Sequence, residues 1–343
     1  MKQYFIKKDQ PQYRANLHSH STYSDGHLTP AEMKAAYKEH GYSILCVSDH
    51  EYPMNHSALS EDDFLMLTGY EAYIRAAHTG GQCLPYEPEV HLNLFAREPD
   101  NETYICYDYP YAKYIRKTEG RLEALKRAGS EEPRQYTVDY VNQFIKTAVD
   151  NGYLVGYNHP VWSLEDEATS LAYENCFSLE ICNYGAWAGN RMDYVSHLYF
   201  QMLRHGKRMF CHAGDDNHNK SGLAGSFGAW TMILAKELTY QSVMEAMETG
   251  NMYASNGPSI DELSLEDGIV HLECSPAERV VLYNGSKKCP GKTAKDGIPV
   301  TSADLPLAPD SPFFFVSIID EHGRIATSRG YFRDEWMVSA QKI

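Results

Sequence analysis

The sequence predicts an α/β barrel followed by a smaller antiparallel β unit. Two observations carry this. Through the first three quarters of the chain, short apolar runs alternate with helical patterns, as parallel strands joined by helical crossovers do. After "ASNGPS" (254–259), apolar and polar residues alternate around Gly and Asp turns with no helical pattern between them. A chain of 343 residues can hold one large domain with a small one attached.

Buried strands are expected in "SILCVSDH" (43–50), "FLMLTGYEA" (64–72), "VHLNLF" (90–95), "YLVGYNHP" (153–160), "FSLEICN" (177–183) and "KRMFCHAGDD" (207–216). Helices are expected at 30–40, with Thr29 as N-cap, at 137–151 and at 190–205; Gly41 and Gly206 fall just past the first and last. This many units implies a barrel. Residues 97–135 break the rhythm with a Tyr-rich, charged insertion, either a lid over the barrel mouth or an ordinary surface loop, and "EGRLEALKRAG" within it reads as helical. From residue 258 onward, "IDELSLEDGIVHLECSP", "RVVLYNGSK" and "SPFFFVSIIDEHGRIATSRGYF" read as a small β-sandwich, with hairpin turns at "LYNGS" and "DEHGR". The expected division is 1–257 and 258–343.

Composition narrows the function classes. The net charge of −15, with no run of Lys and Arg, disfavours long nucleic acid as a partner but leaves room for a small anion held by metal. No stretch of about 18 apolar residues occurs, so no membrane span is expected. "MKQYFIKKDQ" lacks the apolar core of a signal peptide, so we expect a cytoplasmic protein beginning at Met1. Eight cysteines show no CxxC spacing; Cys46, Cys182 and Cys211 lie in apolar runs and read as small buried hydrophobes.

The chemistry gathers at strand ends. Residues two apart in a strand point the same way, so His18 and His20 can enter one pocket. Asp25 and His27 follow closely. "VSDHE" ends a run with Asp49 and His50, "LTGYEA" ends the next with Glu71, and "EVHLNLF" opens with His91. "GYNHP" closes on His159, which Pro160 is expected to hold extended, and "HAGDDNH" repeats the two-residue spacing with Asp216 and His218. Catalytic groups of parallel barrels collect at such ends.

H-S-H, S-D-G, S-D-H-E, G-Y-E, V-H, N-H-P and D-x-H, in this order over residues 14–257, resemble the PHP (polymerase and histidinol phosphatase) family. The resemblance implies a distorted (β/α)7 TIM-like barrel with a trinuclear metal centre and metal-dependent phosphoesterase activity. It makes His18, His20, Asp25, His50, Glu71, His91, His159, Asp216 and His218 the ligands. Some members carry His at the Asp25 position; the carboxylate here resembles the nucleotide- and small-phosphate-hydrolysing members more than the all-His form. The whole chain looks most like the two-domain bacterial type with a C-terminal β domain. Six imidazoles and three carboxylates suit Zn²⁺, Mn²⁺ or Fe²⁺ and not Ca²⁺. Nine ligands exceed one ion and fit three if a carboxylate, here Glu71, bridges. A hydroxide held between the metals would attack phosphorus, with Asp216, Asp25 and His218 as the catalytic residues.

Around this set, Asp49 and Asp215 are expected either to orient a ligand imidazole or to be structural. Asn158, Glu180, Asn183 and His27 lie near the mouth; Glu180, Asn183 and His27 are assigned to substrate, together with Arg191, preferred over Arg75 and Arg116 for phosphate. Tyrosines of 104–114 are candidates for stacking on substrate. His212 is ambiguous; His40, His56, His78, His197, His205, His271 and His322 lack the strand-end context. The leading expectation is hydrolysis of a small phosphate ester, a nucleotide or sugar phosphate. The alternatives are an exonuclease-like phosphodiesterase on short oligonucleotides and a catalytically idle metal-binding scaffold, with oligomerisation open.

Overall fold

Largely apolar runs become strands buried on both faces. Glu89–Ala96, Tyr153–Asn158 and Ser178–Asn183 are buried along their whole lengths, as interior strands of a covered sheet are. The computed structural model describes residues 2–77 and 86–337 and shows a mixed α/β protein. His78 lies outside the described residues.

Five strands form one sheet in the order Phe210–Gly214, Ser178–Asn183, Tyr153–Asn158, Glu89–Ala96, Gly69–Arg75. The first three run parallel; Glu89–Ala96 runs antiparallel to both its neighbours. A second sheet holds Tyr13–Asn16, Ile44–Cys46 and Leu65–Leu67 in parallel; Trp230–Ile233 runs antiparallel beside Tyr13–Asn16, and Met252–Ser255 runs antiparallel to Trp230–Ile233 in turn. The ladders are therefore open sheets. Their facing edges touch through isolated bridges, His50 to Glu71 and Ser19 to Asn217, and these bridges gather the strand ends.

The helix signals translate locally. Helix Pro30–Glu39 carries a full capping box, in which Thr29 and Glu32 satisfy each other's backbone N–H groups. Thr29→Ala is expected to lower unfolding free energy by about 1 kcal/mol in urea titration, with metal content unchanged. Helix Val138–Asp150 buries Val141, Phe144, Ile145 and Ala148 on one stripe. The single helix expected over 190–205 is instead two, Tyr184–Asn190 and Ser196–Arg204. Arg191 and Asp193 take left-handed φ values of 60° and 54° between them, and Tyr194 bridges back to Cys182.

The insertion has a small core of its own, with Tyr52, Tyr104, Ala112, Ile115, Leu122 and Leu125 packed together. Its helix is a single turn, Arg121–Ala124. Beyond residue 258, two antiparallel layers share one core that includes Leu263, Leu272, Val280, Leu305, Phe314 and Val316. Strand pairing crosses residue 258 in both directions: Gln3–Ile6 pairs with Ile260–Glu266, and Ile325–Ser328 pairs with Met252–Ser255. Cys46, Cys182 and Cys211 are buried and free. No helix among the described residues is long and apolar enough to cross a membrane.

Candidate metal centre

Strands and their C-terminal extensions deliver nine side chains to one place. Glu71 is the hub. Its Oε1 lies 3.1 Å from His18 Nε2, 3.1 Å from His91 Nδ1 and 3.2 Å from His159 Nε2, and its Oε2 lies 2.9 Å from His50 Nδ1 and 3.5 Å from His20 Nε2. Asp216 Oδ1 is 2.9 Å from His20 Nε2 and 3.3 Å from His18 Nε2. Asp25 Oδ1 is 3.4 Å from His218 Nε2. Donor atoms within 4.8 Å of one another form four groups: His20, Asp25, His50 and His218; His18, His159 and Asp216; His18, His20 and Glu71; and His50, Glu71 and His91. Together these groups contain all nine residues that the resemblance implied as ligands.

His18 Nε2, both ring nitrogens of His20 and of His91, His50 Nδ1 and Glu71 Oε2 are buried without a hydrogen bond. Leaving such atoms unpaired costs about 1–3 kcal/mol each. They approach carboxylate oxygens closely yet off the hydrogen-bonding direction, which fits lone pairs aimed at a shared cation. The donor set, imidazole nitrogen and carboxylate oxygen, suits divalent transition metals. Electrostatics divides the histidines. Burial, with His50 and His218 nearby, pushes His20 down to about 3; for His91 burial is overcome by Glu71 and Glu89, which raise it to about 10. Burial likewise works against charge on Glu71 and Asp216, but the surrounding imidazoles hold both well below the usual carboxylate range.

No protein-family model and no curated protein matches the sequence. Solved structures do. One is a two-domain protein from Bacteroides vulgatus containing a predicted PHP-like metal-dependent phosphoesterase, 14% identical, covering 95% of this chain and 88% of its own, with a TM-score of 0.43. Another is an amidohydrolase from Chromobacterium violaceum with bound sulfate and no metal, at 16% identity, 60% and 87% coverage and a TM-score of 0.39. A third, described as a candidate metal-dependent phosphoesterase, comes from Bifidobacterium adolescentis, at 16% identity, 62% and 91% coverage and a TM-score of 0.37. PHP-like proteins thus stand among the structural neighbours.

The backbone is bent to make the centre. His159 and Asp216 take φ values of +22° and +49°, so Pro160 does not hold His159 in the extended geometry expected of it. The loop carrying Asp25 closes through Gly26, where a Cβ would lie 2.0 Å from the His20 carbonyl oxygen. Asp49 accepts from Ser21 and Ser24 and so anchors that loop, rather than orienting an imidazole. Asp215 is structural too: it accepts from Tyr37 and from the N–H groups of Phe227, Gly228 and Ala229.

Three of the residues assigned to substrate do other work. Glu180 is fully buried, 2.9 Å from His18 Nδ1, and accepts from the His159 N–H, so its carboxylate is engaged with the His18 ring rather than open to substrate. Asn183, also buried, donates to Glu180 and to Asp216 Oδ2 while capping the helix that follows. Asn158 donates to Glu71 at 2.8 Å. Arg191 lines a different cleft, because the left-handed turn after Asn190 directs it away from the nine. His27 is exposed beside the centre, its N–H bonded to the His218 carbonyl. His212 packs against Ser178 and stays outside the cluster. Glu180→Gln is expected to weaken metal binding by about 10–100-fold in chelator competition, with the far-UV spectrum unchanged.

Sequence reasoning missed Glu89, Trp162 and Ser163. Glu89 Oε1 lies 3.3 Å from His91 Nε2, and Ser163 Oγ lies 3.1 Å from His159 Nδ1. The Trp162 ring stands 5.1 Å from that of His159 and 5.7 Å from that of His91. The two-residue spacing that singled out His18 and His20 would have found Glu89, two before His91. Arg75, ranked below Arg191, pairs with Glu89 at 2.6 Å and is the arginine beside the centre. Arg116 instead sits over Tyr109. Of the insertion's tyrosines, Tyr114 reaches the site, its ring 6.4 Å from that of His50.

Proposed function

We propose that this chain is a metal-dependent phosphoesterase of the PHP type acting on a small phosphate ester. The reading rests on one observation above all: a single buried carboxylate, Glu71, lies within 3.5 Å of five imidazoles that come from four separate segments of the chain. The four donor groups share His18, His20, His50 and Glu71, and we read them as a three-ion centre of Zn²⁺, Mn²⁺ or Fe²⁺ bridged by Glu71. In the same reading, the two open sheets are a distorted (β/α)7 barrel joined at its bridges, and the C-terminal layers are a sandwich.

Divalent ions held there supply Lewis acidity and a nucleophilic water near neutral pH. The protein's own groups set direction and proton traffic. Asp25, His218, Asp216 and His50 are the more exposed of the nine, at 29%, 25%, 19% and 15%, so the ester enters on their side. Asp216 spans the buried histidines and the rim pair Asp25–His218, and these three are where a proton leaves or returns as the bond breaks. The rest of the substrate lies in a cleft of about 730 Å³ that adjoins His91 and His159, lined by Arg75, Glu89, Trp162, Ser163 and Leu164. Trp162 offers a flat apolar wall and Arg75 a cation for a nucleotide or sugar phosphate.

The test is phosphate release from a panel of small mono- and diesters with Mn²⁺ or Zn²⁺, with metal content measured alongside. Release from one class, about three ions per chain and loss of both in Asp216→Ala are expected. A full metal complement with no release from any ester would overturn the reading.

A further inference from the structure

We propose that a second cleft, away from the metal centre, is a binding site for an oxyanion carried on a flat aromatic ring. It lies between helix Tyr184–Asn190 and the strand pair Tyr13–Asn16 and Trp230–Ile233, encloses about 610 Å³, and includes none of the nine metal-centre residues in its wall. That volume suits a small ligand of this kind.

Charge is the first argument. The chain carries a net charge of −15, yet the cleft is lined by Arg14, Arg191 and Arg324 and by no Asp or Glu. Arg191 is exposed, sits 5.2 Å over the Trp187 ring and has no carboxylate within 4 Å among the described residues. The Arg14 guanidinium carbon lies 4.1 Å from the centre of the Tyr42 ring and 3.6 Å from that of Trp230. Its Nη atoms donate to the carbonyls of His40 and Phe227, and it forms no ion pair within 4 Å among the described residues. Arg324 shares its Nε with Asp320 at 2.7 Å and is the partly neutralised one.

Donor supply is the second argument. On two of the lining side chains, Arg14 Nε and Trp230 Nε1 are donors without a hydrogen-bond partner. Asn256 uses its Oδ1 to accept from the Ile325 N–H, which leaves its amide N–H₂ as a donor. The wall thus presents donors with little to accept them, and oxyanions are the complementary class. Trp187 and Trp230 add the aromatic faces against which a planar body stacks.

Calorimetric titration with 1-naphthyl sulfate tests the site with a probe that has no phosphate to lose. One binding event per chain is expected. Arg191→Asn, chosen because Asn tolerates the left-handed backbone at this position, should bind about tenfold more weakly, the loss of one charge-assisted hydrogen bond. Trp187→Leu should weaken binding as well. Asp216→Ala should bind with wild-type affinity, and 1-naphthol, which lacks the oxyanion, about tenfold more weakly than the sulfate. The inference is overturned if Arg191→Asn and Trp187→Leu bind like wild type, if 1-naphthol binds as well as the sulfate, or if no binding occurs. It is also overturned if Asp216→Ala alone abolishes binding, since the probe would then be reporting the metal centre.

Discussion

Glu71→Gln is expected to lower phosphoester hydrolysis by about a thousandfold, some 4 kcal/mol of transition-state stabilisation, and to reduce bound metal in the same preparation. Gln keeps the shape and can keep the bond from Asn158 Nδ2, 2.8 Å from Oε1 in the wild type, so the strand should stay in place. What disappears is one negative charge facing five imidazoles. A metal that depended on a bridging carboxylate loses an anionic ligand, and a neutral amide oxygen is a poor replacement. Thermal stability in excess Mn²⁺ or Zn²⁺ should fall toward that of the chelator-treated wild type, because binding to the folded state no longer contributes. Circular dichroism separates this from misfolding. Wild-type metal content together with wild-type rate in Glu71→Gln would show that Glu71 is not a bridging ligand.

Eight of the nine residues were legible because they sit in or shortly after a strand, where a buried apolar run meets a polar residue that nothing in local structure requires; Asp25, in the loop after His20, was reached only through the S-D-G motif of the resemblance. The two-residue spacing of His18 and His20, repeated in Asp216 and His218, counted only because similar patterns recurred at other strand ends. Glu180 was misread for a related reason. Its place at a strand end looked like that of Asn183 and His159, and sequence does not show depth: its carboxylate is fully buried against His18. Arg191 failed on conformation. A continuous helix over 190–205 would have kept it near the strand carrying Glu180, but the left-handed turns at Arg191 and Asp193 break that helix, and Asp193 instead binds the Val161 and Trp162 N–H groups after His159. The antiparallel strand Glu89–Ala96 was beyond reach because strand direction depends on the connection before it, not on the strand's own residues. Arg134 had no signal at all: nothing local distinguishes a charged residue in a loop from one that is buried.

Arg134→Met is expected to lower unfolding free energy by about 3–5 kcal/mol, measured by guanidinium titration, because it leaves a buried carboxylate without its cation. Arg134 and Glu51 are both fully buried at their side chains, with Arg134 Nη2 2.9 Å from Glu51 Oε2. The same guanidinium donates to the carbonyls of Tyr73, Cys106 and Ile105, and Glu51 also accepts from Tyr104 Oη at 2.8 Å and from the Tyr73 N–H. The pair therefore locks the insertion onto the residue next to His50. Glu51 itself sits at φ +52°, and its N–H donates to the Glu71 carbonyl, so the lock sets the spacing between two of the candidate ligands. Glu51→Leu with Arg134→Met replaces both charges by apolar groups, and most of the stability should return. Metal affinity should not return with it. Without the charged pair, His50 and Glu71 are no longer held in register, and binding is expected to stay about 10–100-fold weaker than wild type. A single variant within 1 kcal/mol of wild type would mean that solvent reaches Glu51. A double variant with restored stability and restored metal affinity would make the pair a fold element without influence on the centre.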